Sequence, residues 1–590
     1  MPTFIRLTDY KSSDAKEAAF FDPANRYKAD QNDFEKIPGS PIAYWVKKKI
    51  VQAFQFQKVS EVCETRLGMA TADNNKFLRL WGEVDIQNIG RNYECREDSK
   101  ASGAHWFPYQ KGGEFRKWYG NHEYVVNWKD DGIEIMNFTD AKTGKIRSHN
   151  YNLDFIFKRA ITWNALSSTV TSMRISENSL FDNAGSSMFV NDDKNFLTIL
   201  SFMNTKIMPD FIKAISPTLN YQPGDIASLP IIYPKSEQSK KAVDILAQQN
   251  IDISKEEWDS RETSWDFTRN ELLKHKSDNT LENALNAYST YWSDKFNTLH
   301  TNEEELNRLF IDIYGLQDEL TPDVELKDIT ILKTESKIIN GKLDFQKDEI
   351  IEQFISYAVG CMFGRYSLDR EGLILANQGD TLEDYLERIG TTLTFEIDDD
   401  NIIPIVDEAD YFSDDITDRF TEFVKTTFGP EKLQQNIAYI ENALGKKIRV
   451  YFTKDFYIDH TKRYNKRPIY WLFSSPKGSF QMLVYMHRYT PDTLNHILND
   501  YLRPFRIRLD SMRNESMRLT ERVDSSAKEK ADADKKIDKI DKTLHDINEY
   551  EKVLAHYAAQ RIAIDLDDGV KVNYCKFKEL LYEFDKKFCK

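Results

Sequence analysis

Near residue 236 the chain changes its hydrophobic period, and with it the kind of structure it can form. Upstream, from 61 to 235, Gly, Asn and Ser are common, and apolar residues gather in short β-prone runs: YVVNW (124–128), FIFKRAITW (155–163) and FLTIL (196–200). Turn signals separate them, at KGG (111–113), DDG (130–132), TGK (143–145) and NAGSS (183–187). Runs of that length bounded by Gly and Asn read as strands. Downstream, ENALNAYSTYWSDKFNTL and EEELNRLFIDIYGL space their apolar residues as an amphipathic helix does. One layer type cannot satisfy both patterns, so the expected fold is multi-domain α+β. The chain divides into N-terminal connector helices (1–60, closing on the Pro-started, Lys-rich PIAYWVKKKIVQAFQ) and a mixed α/β domain (61–235). A helical spacer (236–345) follows, then a mixed α/β C-terminal domain (346–500) with strands expected at IRVYF (448–452) and YWLFSS (470–475). Residues 501–590 read as a long helical, coiled-coil-like tail. There Ile537, Ile540, Leu544 and Ile547 form a stripe that Leu554 and Tyr557 continue, as a helix hairpin packed on the chain or a short coiled coil requires.

The 590 residues are 41% hydrophobic and 13% aromatic, which excludes wholesale disorder. No apolar run is long enough for a transmembrane helix, and the N-terminus lacks the basic-then-apolar layout of a signal peptide. The cysteines (Cys63, Cys95, Cys361, Cys575, Cys589) are odd in number and never form CxxC. Neither a disulfide framework nor a zinc ribbon is expected, and a reducing, cytoplasmic compartment is. The net charge of −15 excludes a uniformly basic coat, but it is segregated: +3 in 1–60, −1 in 61–235, −4 in 236–300, −20 in 301–430 and +7 in 431–590. A polyanion would be met by 1–235, by 431–590, or by both. The acidic block, with FEIDDDNIIPIVDEADYFSDD at its centre, reads as a solvated helical surface.

The common catalytic motifs are missing. There is no GxxxxGK[ST], GxGxxG or GxSxG, and HEYVV (122–126) lacks the second histidine of HExxH. No [DNS]PP[YF] loop, which would hold the exocyclic amine of a flipped base, occurs, and no FxGxG loop for S-adenosylmethionine. No catalytic, cofactor-binding or metal-binding residue is therefore assigned. One weak match, Asp323 with Glu335 and Lys337, has the PD…ExK spacing of metal-dependent nucleases; a charged surface is its ordinary explanation.

Three basic segments carry more information. In the first, Arg66, Thr71, Asn74, Asn75, Lys76 and Arg79 follow or flank Gly68, with Phe77 and Trp81 as anchors. Asn and Arg suit bidentate base reading, Lys and Thr suit phosphate, and the glycine allows a tight turn. In the second, Lys111, Arg116 and Lys117 surround a Gly pair with Trp118 and Tyr119 beside them, a backbone-binding composition. The third, 446–467, contains Lys446, Lys447, Arg449, Lys454, Lys462, Arg463, Lys466 and Arg467, with Tyr451, Tyr457 and Tyr464 between. Lysines and arginines meeting phosphate release counterions, so such contacts would be salt-sensitive.

These segments also carry a family resemblance. GMATADNNKFLRLW (68–81) resembles the G-x-[AT]-T-[GA]-D-N-x-x-F segment opening the target-recognition region of fused adenine methyltransferases, the type IIG and IIL enzymes. SPTLNYQPGDIASLPI (216–231) resembles a second segment of that region, departing mildly at Ser216 and Tyr221. HWFPYQKGGEFRKWYGN (105–121), ELNRLFIDIYGLQDELTP (305–322), YAVGCMFGRYSLDREG (357–372) and KDFYIDHTKRYNKRPIYWLFSS (454–475) are similar to the PglX family, the adenine-specific DNA methyltransferases of BREX type 1 phage defence. The resemblance spans nearly the whole chain but only the family's C-terminal half; the half with the S-adenosylmethionine and NPPY motifs has no counterpart here. It implies that 61–235 is a DNA target-recognition domain. It also implies double-stranded DNA, a catalytic methyltransferase half and other BREX proteins as partners, with S-adenosylmethionine as cofactor of the complete enzyme only. Two other readings stand beside it: a metal-dependent nuclease subunit, and a protein–protein adaptor of a defence complex using the acidic block.

Overall fold

The computed structural model describes residues 1–165, 172–216, 220–408 and 411–589. It combines several small sheets with long helices, the mixed α and β architecture expected. One antiparallel sheet orders its strands Cys63–Arg66, Ser187–Val190, Ala160–Trp163, Met173–Ser176. A second runs Leu78–Leu80, Tyr124–Asn127, Trp106–Gln110, Leu180–Phe181, with only the last pair parallel. The third, Ile402–Pro404, Gln481–Tyr485, Tyr470–Ser474, is antiparallel. The expected strands at 124–128 and 470–475 are thus present.

Helices cover these sheets. Glu237–Asp259 starts on the Ser236 side chain, which accepts from the Ser239 N–H. Leu281–Tyr314, 34 residues long, ends on Gly315 in the left-handed region. One apolar core runs from Ile37 to Phe588 and joins the first sheet, these helices and the third sheet. The second sheet has a core of its own, built on Phe77, Phe107, Tyr109, Val126, Trp128 and Phe181. Helices Arg503–Glu521 and Ala527–Gln560 form an antiparallel hairpin, held by Arg503 and Arg506 on Glu551 and by Arg513 on Asp541.

Several expectations are corrected. FLTIL lies in the helix Phe196–Asn204, where eight of nine residues are buried; a run buried on every side shows no period. IRVYF is the helix Ile448–Lys454, in which Arg449 reaches the buried Asp415; tertiary packing overrides its β-branched content. Only Ala160–Trp163 of FIFKRAITW is extended, because Phe157 takes a positive φ and turns the chain. Within 1–60 a helix stands at Ser13–Phe21, but of PIAYWVKKKIVQAFQ only Lys48–Ala53 is helical: Tyr44 stacks on Phe4 and Arg6 lies over Trp45 instead.

The centre of the acidic block is not a helical surface. It contains the strand Ile402–Pro404, and part of its acids turn inward: Asp398 is buried, and the Tyr501 hydroxyl lies 2.9 Å from both Asp400 and Asp414, while Glu396, Asp399 and Asp407 stay exposed. Past Gln560 the tail leaves its long helix and folds back, with Leu581 bridging to Phe473. There Cys575 and Cys589 form a disulfide with their Cα atoms 5.4 Å apart, contrary to the expectation of unpaired thiols; Phe588 packed on Tyr574 brings them together. No helix among the described residues is long and apolar enough to cross a membrane.

Candidate nucleic-acid interface

The segment 68–81 is built as a platform. Asp73 caps a single helical turn, Asn74–Phe77, by accepting from the Lys76 N–H, and the Thr71 hydroxyl donates to Asn74 Oδ1 at 2.6 Å. Phe77 and Leu78 enter the core of the second sheet, so Asn74, Asn75 and Lys76 are left exposed. Gly68 serves a different purpose from the expected turn. Its backbone is not left-handed; a Cβ there would lie 1.9 Å from the Phe181 carbonyl oxygen. Glycine is needed because two strands approach closely. Gly68→Ala is expected to destabilise this sheet by about 1–3 kcal/mol. The effect should appear as faster amide exchange at Met69 and Asn183, whose N–H groups close the bridge. Unchanged protection there would count against the close-approach explanation.

Arg79 turns inward against expectation. Its guanidinium donates to the main-chain carbonyls of Asn75, Leu78 and Asp567 and lies over the Trp106 ring. Burial pulls its pKa down, with Glu83 and Asp568 acting the other way. Lys111 reaches Asp182 at 2.6 Å, and the Tyr109 hydroxyl donates to the same carboxylate oxygen. Gly112 and Gly113, both with positive φ, then make the turn expected of KGG.

From the third segment come Asn465 and Arg467, following the helix Phe456–Arg463; Asn465 and Lys466 both adopt positive φ. Arg467 Nε stands 3.7 Å from Glu83. Glu83 is buried and ties the parts together, accepting from the main-chain N–H groups of Leu80 and Val570. Burial raises its pKa; Arg467 and these N–H donors oppose the rise. The folded-back tail closes the arrangement through Asp567, which accepts from Trp106 Nε1 at 2.7 Å, from Asn88 at 3.2 Å, and lies 3.0 Å from His105 Nδ1. Burial disfavours its charge, but these partners hold its carboxyl below the ordinary range.

Asn74, Asn75, Arg79, Lys111 and Arg467 therefore line one cavity of about 200 Å³, together with Asn465 and Lys571. Sequence reasoning missed the last two. Lys571 lies in an ordinary amphipathic stretch, and nothing local marks it as facing residues nearly five hundred positions away. A separate small cavity, lined by Trp81 and Glu123 among others, shares Glu83, Asn465 and Arg467 with it.

The other residues singled out lie elsewhere or are engaged. Thr71 is buried beneath Asn74. Arg66 pairs with Glu64 and lies over Phe155. Lys76 pairs with Glu134 at 2.9 Å. Arg116 is buried on Glu257, Lys117 pairs with Glu303 at 2.6 Å, and Arg463 faces Glu349 at 3.3 Å. Lys466 is 65% exposed yet reaches Asp585. Lys462 is exposed, with no ion pair among the described residues. Glu335 accepts from Arg261 and Gln353, while Lys337 points out from a hairpin. Pro217, Thr218 and Leu219 of the second recognition motif lie outside the described residues.

No protein-family profile matches the chain. Among curated proteins, it is 40% identical over 601 aligned residues to the adenine-specific methyltransferase PglX of Lacticaseibacillus casei (strain Zhang), covering 97% of this chain and 48% of that protein. It is 37% identical over 607 residues to the adenine-specific methyltransferase BrxX of Escherichia coli O9:H4 (strain HS), covering 98% of this chain and 48% of that protein. The chain spans about half the length of the curated relatives it matches. Over almost all of its own length the chain is thus similar to about half of each of these adenine-specific methyltransferases.

Proposed function

We propose that the chain is the DNA-recognition part of a site-specific N6-adenine DNA methyltransferase of BREX phage defence, corresponding to the C-terminal half of the PglX-like enzyme. The catalytic half would supply the S-adenosylmethionine site and the loop that receives the flipped adenine. Flipping a base costs a few kcal/mol, and binding to the duplex must offset it. One observation carries this reading: segments around 75, 111, 467 and 571, distant in sequence, meet at one cavity lined by three amides and four cations, with Glu83 and Asp568 among them. Amides on an exposed turn are suited to base edges, and the lysines and Arg467 beside them to phosphate. Arg79 supports this surface from beneath, while Arg116, Lys117 and Arg463 are engaged elsewhere, on Glu257, Glu303 and Glu349. The engagement of Glu335 with Arg261 removes the carboxylate that a nuclease centre would need.

The test is competitive binding by the complete two-half enzyme to cognate and scrambled duplexes. Asn74→Ala or Asn75→Ala is expected to cost about 1–3 kcal/mol on the cognate site and little on scrambled DNA. Equal losses on both would demote the residue to backbone positioning, and no loss from either would place the reading elements outside this cavity.

A further inference from the structure

Residues 583–589 lie against the turn that delivers Arg467 to the cavity. Up to Tyr582 the tail is pinned by its backbone: the Ser474 N–H donates to the Leu580 carbonyl, and the Tyr582 N–H donates to that of Leu472. Beyond Tyr582 that pinning stops. The Phe584 and Phe588 N–H groups donate locally, to the carbonyls of Tyr582 and Asp585, and no backbone-to-backbone bond joins 583–589 to another element among the described residues. The segment is held by side chains and one covalent link. Phe584 and Phe588 pack on Tyr574, Asp585 accepts from Lys466 at 2.8 Å, and Cys589 is bonded to Cys575.

Both ends of this disulfide bear on the cavity. Cys575 closes the helix Gly569–Cys575, which carries Lys571. At the other end, Phe588 lies under the Arg467 guanidinium, 5.5 Å from ring centre to Cζ. Arg467 has little else to orient it: its Nε stands 3.7 Å from Glu83, and its Nη1 donates to the Lys466 carbonyl at 3.3 Å. Cys575 and Cys589 are only partly buried, whereas Cys63 and Cys361 are buried thiols and Cys95 is a free one. A sulfur that an incoming thiolate can reach makes a disulfide exchangeable.

We propose that Cys575–Cys589 is a redox latch on the cavity, opened by a dithiol reductant. One thiolate of the reductant attacks a protein sulfur, and the other protein sulfur leaves as a thiolate. The reductant's second thiolate then displaces the protein from the mixed disulfide. The protein disulfide thereby takes up two electrons and two protons while the dithiol becomes a disulfide, and reverse exchange with a disulfide oxidant closes the latch. Once it is open, 583–589 leaves the turn at 465–467, and Arg467 loses the ring beneath it. The consequence for DNA rests on the recognition reading above; the latch itself does not.

Amide exchange of the full chain, equilibrated with oxidised glutathione and then treated or not with dithiothreitol, tests the latch. Reduction is expected to speed exchange at Phe584 and Phe588 at least about tenfold, because the loop constraint is lost. Exchange in the strand Ile402–Pro404 should not change. Cys575→Ser should exchange fast under both conditions, and Cys95→Ser should respond as the parent does. Iodoacetamide should label Cys575 and Cys589 only after reduction. Binding of a random duplex should lose about one unit of the slope of log affinity against log salt on reduction, one phosphate contact, in the parent but not in Cys575→Ser. Labelling of both cysteines after oxidised glutathione, unchanged exchange on reduction, or an unchanged slope would overturn the proposal. An oxidised chain that binds no duplex at any salt would instead remove the recognition reading, and the exchange result alone would decide the latch.

Discussion

Replacing Glu257 by glutamine is expected to destabilise the region between the second sheet and the helical spacer by about 3–5 kcal/mol, the usual effect of removing one partner from a buried ion pair. Glu257 is fully buried and accepts from Arg116, from Arg261 and from the Leu332 N–H. Arg116, 7% exposed, also donates to the carbonyls of Tyr119 and Ser254, so it cannot swing out to water without breaking those bonds. Burial works against the charge on Arg261, yet Glu257 and Glu335 together hold its pKa above the ordinary value. The neutral amide leaves two guanidiniums facing one remaining carboxylate. Native-state amide exchange at Leu332 and along Glu237–Asp259 measures the opening free energy region by region, which suits a chain of this size better than one global melt. A loss below about 1 kcal/mol, in the range of exposed pairs, would mean that water reaches this cluster.

The second large effect concerns salt. Neutralising Lys111, Arg467 and Lys571 together is expected to flatten the slope of log affinity against log salt by about one unit for each phosphate left without a cation, on cognate and random duplexes alike. These cations line the cavity from three different segments. Lys111 is held by Asp182 and Arg467 stands near Glu83, while Lys571 has no ion pair among the described residues. Binding curves of the complete enzyme at several salt concentrations check this. A triple variant with the parental slope would show that the cavity does not face the phosphate backbone.

Part of this architecture is legible in the sequence. The runs YVVNW and YWLFSS combine β-branched and aromatic residues with polar breaks, and both are strands. FLTIL and IRVYF use the same residue types and are helices, because their direction comes from what surrounds them. The basic residues are identifiable by type but not by orientation. Arg116 meets Glu257 across 141 positions and Lys117 meets Glu303 across 186, and no local pattern announces such partners. Gly68 stands out in the sequence as a constrained position, but for a turn rather than for the Phe181 carbonyl beside it. Lys571 is invisible there for the converse reason: its neighbourhood in sequence says nothing about its neighbourhood in space.

The hydrogen bond between Asp567 and Trp106 has a consequence for biosynthesis. The two residues are 461 positions apart, and the cleft stays open on one side until the later one is made. At about 5–20 residues per second, a ribosome needs roughly 20–90 s to travel from one to the other. During that interval the second sheet can fold while the surface assigned to DNA remains incomplete. On the proposed DNA-recognition reading, the complete surface would be presented only after translation has passed the segment carrying Asp567.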